Sequence, residues 1–288
     1  MATSCTTQKT APAPLLQWAG GKRRLLPELL GRIPAFSGRY YEPFFGGGAL
    51  YWALADTVAG DHCVIGDCLD ELTGLYRVVR NEPDKLITEL TKLAALPPTG
   101  ETYYWVRDEW TPPSPAASAA RTLYLNRTGF NGLYRTNSSG RYNVTWGRKE
   151  RPYAVPTELI QADGARLCGT TIRTGAAWDA VADAQAGDFV YLDPPYHGTH
   201  TAYSAGGFGE DAQRQLAGTV AELTELGVLV LLSNSDTPFT RQVFGEVLDL
   251  ETVSVHRSIS RSVASRGTVS EILGNNFGAV AGDRLLAA

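Results

Sequence analysis

The sequence of 288 residues is poor in the residues that carry metal and redox chemistry, with one methionine, four histidines and four cysteines. Cys5, Cys63, Cys68 and Cys168 form no CxxC pair and lie beside no paired histidines, so neither a zinc site nor a dithiol centre has its usual spacing. Cys63 and Cys68 flank an apolar run, and buried thiols are the expected state. Long apolar runs are missing as well. Runs such as Ala49 to Ala55 and Val228 to Leu232 fall far short of the roughly 20 residues that span a bilayer. The start, "MATSCTTQKTAPAP", lacks the apolar stretch of a signal peptide, and residues 1–11 read as a flexible tail on a cytoplasmic protein. Internal repeats and low-complexity tracts are absent.

Neither sign of charge dominates: 26 Lys/Arg oppose 30 Asp/Glu, for a net charge of −4. The balance argues against a polyanionic partner, but the distribution argues for one. Residues 9–39 carry six basic residues and one acid, residues 121–151 seven and one, and residues 256–270 three and none. Three basic segments on an acidic body either converge on one face suited to a phosphate backbone or point apart as solvated surface.

The 43% hydrophobic and 19% charged content describes a globular chain, long enough for one large domain or a domain with an insertion. Strand and helix signals alternate at both ends. "RYYEPF", "HCVIGD", "TTIRTG", "DFVYLD" and "VLVLLSN" read as strands followed by helical spacing, and "LETVSV" and "VSEILG" close the chain. The fold class expected is α/β, a doubly wound and mostly parallel sheet. From about Asn81 to Glu158 the pattern is helical instead, broken by "LPPTG" and "TPPSP", and then rich in Gly, Asn and Arg. The main domain is therefore expected to be discontinuous, residues 12–80 and 159–280, with an inserted, mostly helical domain at 81–158.

Three strand ends carry the chemistry. In "GDFVYLDPPYHGT" the apolar run stops at Asp193, because Pro194 and Pro195 can continue neither a ladder nor a helix. Asp193 thus stands at a carboxyl strand end, where open α/β sheets bind ligands. In "EPFFGGGAL", Glu42 and Phe44 stand at another strand end, and Gly46, Gly47 and Gly48 form the turn before a helix, open to close approach by a ligand. Asp67 ends the next strand, where a carboxylate can accept both hydroxyls of a ribose. The turn is not a full GxGxxG, and "WAGGKRR" lacks the spacing and Ser/Thr of a P-loop, so NAD and ATP both fit poorly. S-adenosyl-L-methionine, with a ribose and an adenine but no phosphate, suits one acid, one glycine turn and aromatic walls.

Nine blocks occur in a fixed order: "LLQWAGGKRRLLPEL", "YYEPFFGGGALYWAL", "IGDCLDELTGLY", "LYLNRTGFNGLYR", "YNVTWGR", "YLDPPY", "LLSNSDT", "HRSIS" and "VSEIL". In these, from about Leu15 to Leu273, the chain resembles the Dam-type DNA adenine-N6 methyltransferases. The resemblance implies a Rossmann-like fold, S-adenosylmethionine as donor, and duplex DNA as partner with GATC the typical site. It assigns a catalytic loop of Asp193, Pro194 and Tyr196. Asp193 and the Pro194 carbonyl would accept from the adenine amine, and Tyr196 would stack on the extruded base. It matches Trp18, Lys22, Asp67 and Asp193 to the cofactor site, with Glu42, Phe44, Gly46 and Gly48 shaping the pocket.

Arg127, Asn131, Leu133 and Arg135 match the DNA-contacting loop, Arg148 matches an arginine at a hairpin end, and Lys149 is expected to meet phosphate. No metal is implied, and a monomer is expected. Two departures touch specificity: Gln17 replaces a lysine and Thr145 a proline. The loop after Tyr196 is short but keeps Tyr203. Two rival readings stay open, a cytosine-N4 methyltransferase, which usually has Ser in place of the aspartate, and a catalytically inactive DNA-binding regulator.

Overall fold

The contiguous apolar run Phe189–Leu192 is buried at all four positions because helices cover both sides of it. In the computed structural model, which describes residues 14–18, 20–58, 60–137, 139–198, 207–256 and 268–278, it is strand β4 of a seven-stranded sheet. The others are β1 (Tyr40–Glu42), β2 (Cys63–Asp67), β3 (Thr171–Thr174), β5 (Leu229–Ser235), β6 (Asp249–His256) and β7 (Thr268–Asn275). Their order is β3-β2-β1-β4-β5-β7-β6. Every pairing from β3 to β5 is parallel, and β7 lies antiparallel between β5 and β6. The chain moves outward from β1 to β3 and then returns to lay β4 against β1, with Tyr41 opposite Val190. That reversal is the switch point at which such sheets bind ligands.

Strand alternation divides the core in two. Tyr40, Ile65, Phe189, Tyr191 and Leu231 face one cluster, while Tyr41, Val64, Val190, Leu192, Val230 and Leu232 face the other. The first is covered by α1 (Leu26–Leu30), α2 (Ala49–Val58), α3 (Asp70–Asn81) and α7 (Thr157–Arg166). The second is covered by α9 (Glu210–Glu225), α10 (Pro238–Gly245) and by Val181 and Ala184, just past α8 (Ala177–Ala180). No helix among the described residues is long and apolar enough to cross a membrane.

Between α3 and α7 run α4 (Pro83–Ala94), α5 (Gly100–Asp108) and α6 (Pro115–Thr128), and among the described residues this stretch adds no strand to the sheet. The two proline-rich breaks sit where helices start. Thr99 accepts from the Thr102 N–H and Ser114 from the Ala117 N–H, each at 3.2 Å, and Pro115 opens α6, where its missing N–H costs nothing. Leu86, Leu90, Val106 and Leu123 join the first cluster, so these helices share the sheet's core. Beyond α6 the chain makes a short turn, Phe130–Gly132, and an irregular hairpin. Its arms touch through the pairs Gly129–Trp146 and Thr136–Tyr142.

The thiol expectation needs correction: Cys63 is buried, but Cys68 and Cys168 are exposed. Both follow apolar segments, yet each lies just past the point where the chain leaves the core. Cys5, Tyr203 and most of "HRSIS" lie outside the described residues.

Candidate active site

Three acids stand at adjoining strand ends, Glu42 on β1, Asp67 on β2 and Asp193 after β4. They do different work. Glu42 is buried, and its Oε2 accepts from the Tyr40 hydroxyl at 2.7 Å and from the Tyr51 N–H, in the first turn of α2, at 3.1 Å. Burial pushes its carboxyl up to about 8, so it holds the start of α2 as a largely neutral group.

Asp67 organises the glycine turn. Its Oδ2 accepts from the Gly46 N–H and its Oδ1 from the Leu69 N–H, both at 3.0 Å. Burial raises the Asp67 pKa, and the backbone donors oppose that rise. Gly46 and Gly48 adopt φ of +49° and +64°, a region that side chains other than glycine's rarely enter. A Cβ on Gly46 would lie 2.7 Å from the Trp18 indole, and one on Gly48 would strike the Phe45 ring. Aromatic rings thus pack closely over the glycine turn, and Trp18 and Asp67 stand beside it as an aromatic wall and a carboxylate, which fits a nucleoside-bearing donor. Phe44 instead packs edge-on against Phe208 at 5.5 Å, on the opposite face.

The loop after β4 is fixed from outside, since two consecutive prolines give it no N–H of its own there. Gln213 on α9 donates to the Pro195 carbonyl at 2.9 Å, and Asn234 donates to the Gln213 amide oxygen at 3.0 Å. Gln213 and Asn234 are both fully buried. The Asp193 Oδ1 accepts from the Ser233 hydroxyl at 2.8 Å, and the Tyr196 hydroxyl donates to the Glu271 Oε2 at 2.7 Å. Ser233, Gln213, Asn234 and Glu271 were not singled out in the sequence. A hydroxyl and an amide on β5 just past an apolar run were the available signal.

Lys22 takes an unexpected place. Its Nζ lies 2.8 Å from the Asp193 Oδ1 and 4.3 Å from the centroid of the Tyr196 ring, and it donates to the Gly20 carbonyl at 2.9 Å. Both charged side chains are largely buried, 10% and 18% exposed. Burial raises the Asp193 pKa, and the ammonium and the Ser233 hydroxyl lower it. Asp193 and Tyr196 therefore hold a nitrogen donor between a carboxylate and an aromatic face.

The basic residues of the middle segment gather on and beside the hairpin. Arg127, Arg148 and Lys149 line a cleft of about 440 Å³ with Arg151 and Tyr153. Arg127 spends one donor on the Pro14 carbonyl at 3.2 Å, while Arg148 and Lys149 are exposed. Arg135 is exposed too, its Nε donating to the Asn143 side chain at 2.7 Å. Asn131 is exposed at φ +53°, beside the half-buried Leu133. Phe130, absent from the sequence reading, is 43% exposed at the same turn. Buried Asn126 bonds the Gln17 N–H at 2.9 Å, the Gln17 carbonyl at 2.7 Å and the Gly132 carbonyl at 3.0 Å. It thereby fastens Gln17 to this turn.

A Rossmann-like sheet of this order, with a glycine turn and an acid at β1–β2 and a D-P-P-Y loop at its switch point, is the arrangement of a methyltransferase. Residues 18–259 match the model of the D12 class N6 adenine-specific DNA methyltransferase, and the chain belongs to that family. It is similar to the type II methyltransferase M1.LlaDCHI of Lactococcus lactis subsp. cremoris, 35% identical over 277 residues, covering 92% of this chain and 95% of that one. It is also similar to the DNA adenine methylase of Salmonella typhi, 34% identical over 267 residues, covering 90% and 93%. The one from Serratia marcescens is 34% identical over 266 residues, covering 90% and 96%. The protein is an adenine-specific DNA methyltransferase.

Proposed function

We propose that the protein transfers a methyl group from S-adenosyl-L-methionine to N6 of an adenine in duplex DNA, within GATC or a close relative, after the base leaves the helix. The observation that carries the reading is the seat of Lys22: a nitrogen donor held between the Asp193 carboxylate and the Tyr196 ring. An extruded adenine presents the same features, an amine beside a flat ring, and Lys22 must withdraw for it to enter. Extrusion costs a few kcal/mol, which stacking on Tyr196 and bonds to the amine offset.

Trp18, the Gly46–Gly48 turn and Asp67 would hold the donor, which supplies an electrophilic methyl group when bound. Asp193 and the Pro194 carbonyl accept from the amine and draw its nitrogen toward a tetrahedral geometry, directing the lone pair away from the ring. Ser233 fixes the Asp193 carboxylate, Gln213 the Pro195 carbonyl and Glu271 the Tyr196 hydroxyl. The amine gives up one proton, and a carboxyl whose pKa is raised by burial is a suitable acceptor.

Residues 81–158 serve as the target-recognition region. Arg135 and Arg148 are readers of base edges, and Lys149 and Arg127 are phosphate contacts. Exposed Phe130 is suited to wedge between bases. A DNA substrate fits an enzyme of the cytoplasm. Methylation rates on duplexes carrying GATC and each of its single-base variants test this. The reading expects a sharp preference for GATC or a near relative, and equal rates on all sequences would refute it.

A further inference from the structure

The turn that carries Leu133 and Arg135 also carries Tyr134, and Tyr134 points the other way. Leu133 has an extended backbone, φ −68° and ψ 148°, and successive side chains of an extended segment alternate in direction. Arg135 is exposed, whereas Tyr134 lies inward against the Trp18 ring, 5.4 Å between centroids. Its hydroxyl donates to the Glu71 carboxylate, in the first turn of α3 and just past Asp67. The same indole sits over Gly46, whose N–H is held by Asp67. Tyr134 also meets the opposite arm of the hairpin through Tyr142, 5.6 Å away, whose hydroxyl donates to the Leu133 carbonyl at 3.0 Å. One side chain from the DNA-reading hairpin thus touches the aromatic wall of the donor cradle and the helix behind its carboxylate.

We propose that Tyr134 is a positioning residue supplied by the recognition hairpin: it braces Trp18 and thereby couples occupancy of the S-adenosylmethionine cradle to the grip on DNA. The proposal rests on the donor assignment above. A donor that fixes Trp18 fixes the ring of Tyr134 against it, and with it the backbone between Leu133 and Arg135. DNA that holds those two residues returns the same constraint to Trp18, because coupling between two sites is reciprocal.

The test is a binding cycle in solution, with S-adenosylhomocysteine and a GATC duplex each titrated in the absence and presence of the other. It is run on the wild type, Tyr134→Ala, Tyr134→Phe and Glu71→Gln. The wild type is expected to bind each ligand about 5-fold or more tighter when the other is present, the lower end of typical couplings. Tyr134→Ala should bind S-adenosylhomocysteine several-fold more weakly and bring the coupling close to one. Tyr134→Phe and Glu71→Gln keep the ring stack and should lose part of the coupling, which keeps the test open if the alanine variant does not fold. Wild-type affinity and coupling in all folded variants would overturn the proposal alone. A wild type that bound no S-adenosylhomocysteine would overturn the donor assignment with it.

Discussion

Replacing Asp67 removes two things whose sizes can be separated. The Gly46 and Leu69 N–H groups, 3.0 Å from its two oxygens, lose their acceptor. A buried unsatisfied donor costs about 1–3 kcal/mol, so Asp67→Ala should lower stability by about 2–6 kcal/mol. Against a typical total of roughly 5–15 kcal/mol, a loss at the lower end of that range leaves the variant folded at low temperature. The donor loses an ionised acceptor for its ribose hydroxyls, about 1.5–3 kcal/mol, or about 10- to 150-fold in Kd. Asp67→Asn keeps one oxygen for an N–H but loses the charge, and turns an amide donor toward the other N–H. It should fall between the two proteins in both measurements. Calorimetric titration of S-adenosylhomocysteine, done well below the melting temperature of each variant, separates binding from unfolding. Unchanged affinity in folded Asp67→Ala would mean that the ribose is held elsewhere.

Lys22→Met removes the charge that lowers the Asp193 pKa, so the acid limb of the kcat/KM profile should move to higher pH, and an unmoved limb would deny the pair a role in the free enzyme. Asp163, buried with its Oδ2 unpartnered among the described residues, is pushed by burial up to about 7, well above the usual carboxylate range. A raised acid contributes stability that is complete below its unfolded pKa and is lost as pH rises to the folded one, at about 1.4 kcal/mol per unit. The melting temperature should therefore fall between pH 4 and about 7, and Asp163→Asn should flatten that fall in thermal scans. Arg148→Ala should cost about 1–3 kcal/mol of specific binding and relax one base pair if the arginine reads a guanine. Uniform weakening with a salt slope reduced by about one would make it a phosphate contact. With Gln17 in place of a lysine, discrimination at the first base of GATC should be looser than at the last, and equal stringency at both would remove Gln17 from the reading.

Local chemistry made much of this legible. Asp193 was found because two prolines end its strand, and Asp67 and the glycine turn because backbone freedom and strand ends leave marks in a single segment. The same holds for the helix breaks at Pro97–Pro98 and Pro112–Pro113. Contacts between distant segments left no such mark. Lys22 read as a wall of the cofactor site, and only the fold brings its ammonium to Asp193. Gln213 looked like one more polar residue of an amphipathic helix, yet it is fully buried and holds the loop after β4. Glu271, in an edge-like run, is buried because β7 lies between β5 and β6. Tyr134 was hidden by its neighbours, since the motif drew attention to the side that faces outward.

The central claim is that Asp193 serves transfer of a methyl group to an adenine amine in duplex DNA. Its most direct test is nucleoside analysis by mass spectrometry of a duplex incubated with S-adenosylmethionine and either the wild type or a folded Asp193→Ala variant. The account predicts N6-methyladenine with the wild type and no more than a trace with the variant. N4-methylcytosine as the product, or substantial N6-methyladenine from the variant, would contradict it.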